Sequence, residues 1–194
     1  MDDRITLRFL ATPQDSTIAG IVSAGSMLEW IDKAGYACAV GWSGGYCVTA
    51  YVGNVHFSRP IASGDLIEAH ARIIHTGRTS MQVLVEIATA DVETRIYSRA
   101  THCILVFVAV DGAGTPRPVP AWIPRTPEDE ALHVNAAGRL EARRRIRDLM
   151  LAQRYTDDGT TPRTTFRFLA SPSVVNFGGN AHGGTVMRLS LIHI

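Results

Sequence analysis

Asp65-Leu66-Ile67-Glu68-Ala69-His70-Ala71-Arg72-Ile73-Ile74-His75 decides the fold of this chain, together with the turn Thr76-Gly77-Arg78-Thr79 and the Met81, Val83, Val85 and Ile87 beyond it. Successive side chains of a strand point to opposite sides, so Ile67, Ala69, Ala71 and Ile73 share one face while Glu68, His70 and Arg72 share the other. The second run repeats the alternation after a short glycine turn, the pattern of an antiparallel hairpin lying with one face on a core. Downstream, residues 94–110 end in Cys103-Ile104-Leu105-Val106-Phe107-Val108-Ala109-Val110, apolar on both faces as a central strand would be. Upstream, a strand is expected over about 46–57 after the break at Gly44-Gly45, and another over 5–12 before the loop from Pro13 to Gly20. Between these, Ala24, Met27, Leu28, Ile31, Ala34 and Cys38 recur at spacings of three and four, which predicts a helix from about Ser23. Strand, buried helix, then four strands describe an α+β layer with the helix on one sheet face.

The composition suits such a core. Of 194 residues, 46% are hydrophobic and 19% charged, which excludes disordered and fibrous classes. A formal net charge of +1 supplies no general attraction to nucleic acid or to a membrane surface, and neither is expected as a partner. Cys38, Cys47 and Cys103 are odd in number and lack C-x-x-C spacing, so a zinc ribbon or disulfide framework is not expected. With no secretory signal pattern at Met1-Asp2-Asp3-Arg4 and no apolar run of membrane-spanning length, the expectation is a cytoplasmic protein.

An internal repeat shapes the rest. Arg8-Phe9-Leu10-Ala11-Thr12-Pro13 recurs as Arg167-Phe168-Leu169-Ala170-Ser171-Pro172, and in the same register Gly20 matches Gly179 and Gly25 matches Gly184. One full unit is expected over 1–124, with the opening of a second over 163–188. Leu189-Ser190-Leu191-Ile192-His193-Ile194 does not continue the pattern and reads as the translation of a sequencing-library adaptor, so 189–194 is expected to be an artefact and the natural protein longer. The segment 125–162 links the units. Thr126-Pro127 is a good helix start, and the helix should run to about Gln153 with an interruption at Gly138. Its Arg139, Arg143, Arg144, Arg145 and Arg147 can be read as a phosphate or nucleic-acid patch. The preferred reading is a solvated linker helix, because acids and no aromatics are interleaved.

Two places could carry chemistry. Asp32 falls at the edge of the apolar stripe of its helix, where a partly desolvated carboxylate can act as a base toward water; the plainer reading pairs it with Lys33 or solvent. Gly179-Asn180-Ala181-His182-Gly183-Gly184-Thr185 sits where the second copy's helix should begin. Free N–H groups there could hold an oxyanion and Asn180 a water or carbonyl; read alone, the stretch is a glycine-rich turn with a capping residue. In register Asn180 matches Ile21 and Asp32 matches Leu191, so each copy supplies one half of such a site. Units packed about a pseudo-twofold axis would form one complementary site and leave its pseudo-equivalent dead.

These residues resemble the cytosolic acyl-CoA thioesterases of the tandem hotdog type. The resemblance is carried by Arg8–Pro13, by the helix Met27–Gly35 with Asp32, and by His56-Phe57-Ser58-Arg59-Pro60-Ile61-Ala62-Ser63-Gly64-Asp65. Gly77-Arg78-Thr79-Ser80-Met81, Phe107–Asp111 and Asn180–Gly184 add to it. It implies a hotdog fold, an antiparallel sheet wrapped around a long central helix, with active sites between paired units. Carried over, Asp32 is the general base or the nucleophile, Asn180 orients water or the carbonyl, and the N–H of Gly183 or Gly184 stabilises the oxyanion. Arg59, Arg78 and Ser80 would meet the phosphates of coenzyme A, which is part of the substrate; no cofactor and no metal are implied. A homo-oligomer is expected. The 194-residue chain is expected to be nearly inactive, because the Asn180 half-site lacks most of its unit. One rival is a hydroxyacyl dehydratase, which would want a histidine on the helix 23–40, where there is none. The other is a non-catalytic acyl-CoA sensor, which would not need Asp32.

Overall fold

A computed structural model describes residues 2–154, 167, 169–175 and 178–190. The chain runs β1 (Arg4–Leu10), α1 (Ala24–Ser43), β2 (Cys47–Val52), β3 (His56–Phe57), β4 (Leu66–Thr76), β5 (Ser80–Ala90), β6 (Ser98–Ala109), α2 (Pro127–Ala152) and α3 (Gly183–Ser190). The loop expected over 157–162 lies outside the described residues, as does Phe168 of the repeat.

The strands form one antiparallel sheet in the order β1-β4-β5-β6-β2, with β3 pairing β6 off that path. The hairpin forms as β4 and β5, and β6 is central, between β5 and β2. The strand expected over 46–57 divides into β2 and β3. Gly53 leaves the ladder between them, its N–H donating to the Ile104 carbonyl at 2.9 Å.

The sheet wraps α1. Ser23 caps the helix, its Oγ accepting from the Ser26 N–H at 3.1 Å, and Gly44 ends it in a left-handed conformation at φ 67°. Met27, Ile31, Ala34, Cys38 and Trp42 are buried among Ile67, Ala69, Val83, Val85, Leu105 and Phe107, the inward residues of β4, β5 and β6. Burying each large side chain of this set contributes about 1.5–3 kcal/mol. The helix is buried beyond a single stripe, with Trp30 and Asp32 enclosed as well, as suits an element surrounded by a sheet.

The outer face of the sheet is not left bare, as a single-helix layer would leave it. Ile74 follows Glu68, His70 and Arg72 onto that outer face, where it packs with Leu84 and with Ala136 and Leu132 of α2, and the bulge after Ile73 keeps His75 on the same side, opposite Gln82. Two ion pairs hold the first turn of α2 to the sheet, Arg4–Asp129 at 2.9 Å and Arg72–Glu128 at 2.7 Å. The expected interruption at Gly138 does not occur. The helix continues through it, since a lone glycine only weakens a helix by about 1 kcal/mol and both neighbouring turns stay bonded.

The two copies of the repeat fold alike where both are described. Pro13–Asp15 and Pro172–Val174 are each one turn of 3-10 helix in matching register. Each is followed by a bridge, Ser16 to Val22 and Val175 to Ala181. Gly20 and Gly179 then occupy the left-handed region at φ 73° and 77°, where glycine carries no Cβ penalty.

Candidate active site

α1 and α3 cross at their N-terminal turns, and their contacts are reciprocal. A Cβ placed on Gly184 would lie 2.7 Å from Glu29 Cα, and one placed on Gly25 would lie 2.8 Å from Arg188 Cγ. Gly25 is the register mate of Gly184 and Glu29 that of Arg188, so the same contact is made twice with the copies exchanged. Glu29 and Arg188 also face each other at 3.6 Å. At Gly184 the backbones approach too closely for a side chain, whereas at Gly25 the nearest atom is in the Arg188 side chain and the backbone stands at 3.3 Å.

Beside this crossing a cleft of about 420 Å³ opens between α1, β2 and the residues leading into α3. Asp32, Tyr36, Cys47, Thr49, Asn180 and His182 are among its lining groups. Asp32 is 2% exposed. Its Oδ1 accepts a hydrogen bond from Thr49 Oγ1 at 2.8 Å, so its partner is neither Lys33, which is exposed, nor bulk solvent. A Cβ on Gly183 would stand 2.9 Å from Asp32 Oδ1 and 3.0 Å from Thr49 Oγ1; only glycine lets α3 begin against the carboxylate. The first N–H groups of a helix lack partners within it and carry its positive end, so the start of α3 and the carboxylate attract each other.

Asn180 reaches the same cleft. Its Nδ2 donates to Tyr46 Oη at 3.0 Å and to the Gly178 carbonyl at 3.4 Å. His182 stands edge-on to Tyr36 with ring centres 6.1 Å apart. Burial, reinforced by Tyr46, Cys47 and Asp32, pushes the Tyr36 phenol up to about 12. At neutral pH Tyr36 is therefore a protonated donor and no base. Burial also raises the Cys47 thiol, only partly offset by the Ser43 hydroxyl and Arg117, so Cys47 is a poor nucleophile.

Asp32, Asn180 and Gly183 thus line one cleft, with Gly184 packed just behind them. Arg59, Arg78 and Ser80 do not line it. Ser80 sits opposite Val108, as Val48 of β2 does, which puts the Arg78 turn at the same end of the sheet as Thr49. Arg59 instead donates to Ser98 Oγ at the far end of β6. The residue missed in the sequence is Thr49. Nothing in Cys47–Val52 alternates clearly, and the only cue was a hydroxyl on the strand following the Asp32 helix. Among the described residues no group of three or more His, Cys, Asp or Glu side chains is placed to hold a metal ion.

Residues 19–96 match the sequence profile described as the thioesterase superfamily. Acyl-CoA thioester hydrolase YciA of Salmonella typhimurium is 33% identical over 119 residues, covering 60% of this chain and 90% of that protein. An apo-hexameric acyl-CoA thioesterase superimposes with a TM-score of 0.71 at 32% identity, over 78% of this chain and 95% of its own. An acyl-CoA hydrolase from Staphylococcus aureus, in complex with butyryl coenzyme A and coenzyme A, gives 0.70 at 30% identity, over 78% and 96%. The same Staphylococcus aureus enzyme has been solved with an asparagine, a threonine or an aspartate replaced by alanine. The neighbouring structures identify the sheet-wrapped helix as the hotdog fold.

Proposed function

The chain belongs to the thioesterase superfamily, and from that membership we propose that it hydrolyses acyl-CoA thioesters to a free carboxylic acid and coenzyme A. The observation that carries this reading is the buried Asp32 carboxylate, held at 2.8 Å by Thr49 in a cleft closed by the start of α3. Asp32 activates water as a general base or attacks the thioester carbonyl itself. The backbone N–H of Gly183 or Gly184, at the start of α3, stabilises the oxygen on which charge develops, and the Asn180 carboxamide orients water or the carbonyl. No cofactor or metal takes part in this reading, coenzyme A being part of the substrate.

Spacing in the Staphylococcus aureus enzyme supports the first half of the site. Its replaced aspartate and threonine are 17 residues apart, as Asp32 and Thr49 are. Its replaced asparagine precedes the aspartate by 15 residues. Counted back from Asp32 that position is Thr17; counted back from Leu191, the register mate of Asp32, it is Asn176. Asn176 lies outside the described residues, and it stands beside Asn180 as the carboxamide to test.

A site shared between paired units is favoured by the reciprocal Gly25–Arg188 and Gly184–Glu29 contacts, the signature of an isologous seam. In this reading 1–124 is one hotdog unit, 163–188 opens a second, and a longer natural chain completes it beyond an adaptor-derived 189–194. The 119 residues matched in YciA span nearly all of that relative, so there one unit makes a chain. Here the second copy supplies the pairing, and higher assembly follows the hexameric neighbours. Arg78 and Ser80 meet coenzyme A from the Thr49 end of the sheet, and Arg59 acts from the opposite end. Three free, buried cysteines suit a reducing, cytoplasmic setting. Among the described residues no helix is long and apolar enough to cross a membrane.

The test is thiol release from short-, medium- and long-chain acyl-CoAs by a chain extended through a complete second unit, beside the 194-residue chain. Turnover by the former, reduced at least ~100-fold in the latter, supports the shared site. Equal activity in both removes the need for the second unit, and tight binding without turnover in both replaces the hydrolase with a sensor.

A further inference from the structure

A second cleft lies on the other side of β2, and the arginine-rich helix forms its wall. It encloses about 330 Å³ between β2, β6 and α2, lined by Tyr51, Asn54, His102, Arg139 and Arg143, among others. A bulge creates it. Thr49 is paired with Phe107, which faces the core, but the register slips before Tyr51, which is paired with Val106 on the outer face. The strand therefore gives Thr49 to the Asp32 cleft and Tyr51 to this one, while Tyr51 still lines both.

The charge in this cleft is unbalanced. Arg139 and Arg143 are four residues apart on one helix face, where like charges repel. The Arg143 guanidinium lies over the Tyr51 ring, 5.4 Å from its centre, and its Nε donates to the Arg139 carbonyl at 3.3 Å. Its Nη2 is buried without a hydrogen-bond partner. No carboxylate lines the cleft. Glu86, the register partner of His102, is engaged by Arg99 at 3.1 Å. Beyond its first turn, the acids Glu141 and Asp148 of α2 lie on its other side with Arg144 and Arg145. The helix thus carries acids among the arginines of its outer face, and on its inner face two guanidinium groups and an unused buried donor.

We propose that the cleft between β2, β6 and α2 is a binding site for a phosphate-bearing group, gripped by Arg139 and Arg143. A guanidinium presents paired donors matched to phosphate oxygens, and an anion between the two arginines cancels their repulsion. The Asn54 carboxamide and the His102 imidazole add polar contacts at the mouth, and Tyr51 fixes the Arg143 plane by stacking. Such a phosphate has two sources: the phosphorylated end of a coenzyme A thioester whose acyl end lies in the Asp32 cleft, or a free nucleotide. The first source rests on the hydrolase reading; the site itself does not.

The site is tested by calorimetric titration of the 194-residue chain with adenosine 3′,5′-bisphosphate, with pantetheine as the phosphate-free probe. Binding of the bisphosphate is expected, weakened by added salt and at least ~10-fold weaker in Arg139→Gln and in Arg143→Gln, with melting curves confirming that both variants fold. Arg144→Gln, on the acid-balanced face, should bind as the parent does. Undetectable bisphosphate binding, or equal affinity in parent and both variants, overturns the proposal whether or not the protein hydrolyses anything. The source is read from the preference for acyl-CoA over acyl-pantetheine in the extended chain. A preference cut ~10-fold by Arg143→Gln assigns the phosphate to the substrate. An intact preference beside lost bisphosphate binding assigns it to a free nucleotide.

Discussion

The two copies of the loop leading into a helix, residues 13–31 and 172–190, share a backbone where both are described and differ in chemistry. Both use a proline-started 3-10 turn, a bridge, a left-handed glycine and a helix that begins at the same register. The first begins Ser23-Ala24-Gly25 and continues to Asp32; the second begins His182-Gly183-Gly184. Ala24 stands where Gly183 stands in the other copy. A Cβ is acceptable in the first copy and would collide with Asp32 and Thr49 in the second. The backbone device is therefore general, and the asymmetry of the site comes from a few side chains placed on it. One copy contributes the carboxylate, the other the glycine that lets a helix start against it.

The predictions probe that asymmetry. Gly183→Ala in the extended chain should lower acyl-CoA hydrolysis by about 10²-fold, on the scale of losing an oxyanion donor, whereas Ala24→Gly should change it by less than a few-fold. Similar losses from both, measured as kcat/KM, would break the comparison. Thr49→Ala should cost about 10-fold or more, the worth of a hydrogen bond to a charged group, and Thr49→Ser should restore most of it. A Thr49→Ala enzyme with parental kcat would leave Thr49 as packing only.

Smaller effects concern stability. Tyr36 titrates near 12 when folded against about 10 as an ordinary tyrosine, so its burial stabilises fully below pH 10, and that share is lost as pH rises toward 12. Melting temperatures between pH 9 and 11 should fall less steeply in Tyr36→Phe than in the parent. An identical slope would mean that the phenol is not enclosed beside Asp32. Arg188→Ala removes one partner of a partly exposed ion pair with Glu29 and should shift stability by at most ~1 kcal/mol in denaturant unfolding, well below what closing the Gly184 contact with a side chain would cost.

Much of this was legible in the sequence because its cues are local. The alternation in 66–76 and 80–90 gave the hairpin, the apolar spacing from Met27 to Cys38 gave α1, and Asp32 stood out as the carboxylate at the edge of that stripe. What escaped depends on contacts between distant segments. Thr49 matters only because β2 returns along α1, and the bulge after it reverses the side that Tyr51 faces. Gly138 looked like a break, yet Leu132 and Ala136 dock on Ile74 and Leu84 just before it and Arg143 lies over Tyr51 just beyond it, so the helix is held to the sheet through that point. The five arginines of α2 looked like one population. Only the packed structure sorts Arg139 and Arg143 from Arg144 and Arg145.

The central claim is that Asp32 performs the chemistry in a cleft completed by the second copy. Its most direct test is the rate of thiol release from a saturating acyl-CoA by the extended chain and by its Asp32→Asn variant. The account predicts a fall of at least ~100-fold with the melting temperature held, since the amide keeps a hydrogen bond to Thr49 but cannot take a proton or attack. A rate within a few-fold of the parent would contradict it and move the chemistry away from Asp32.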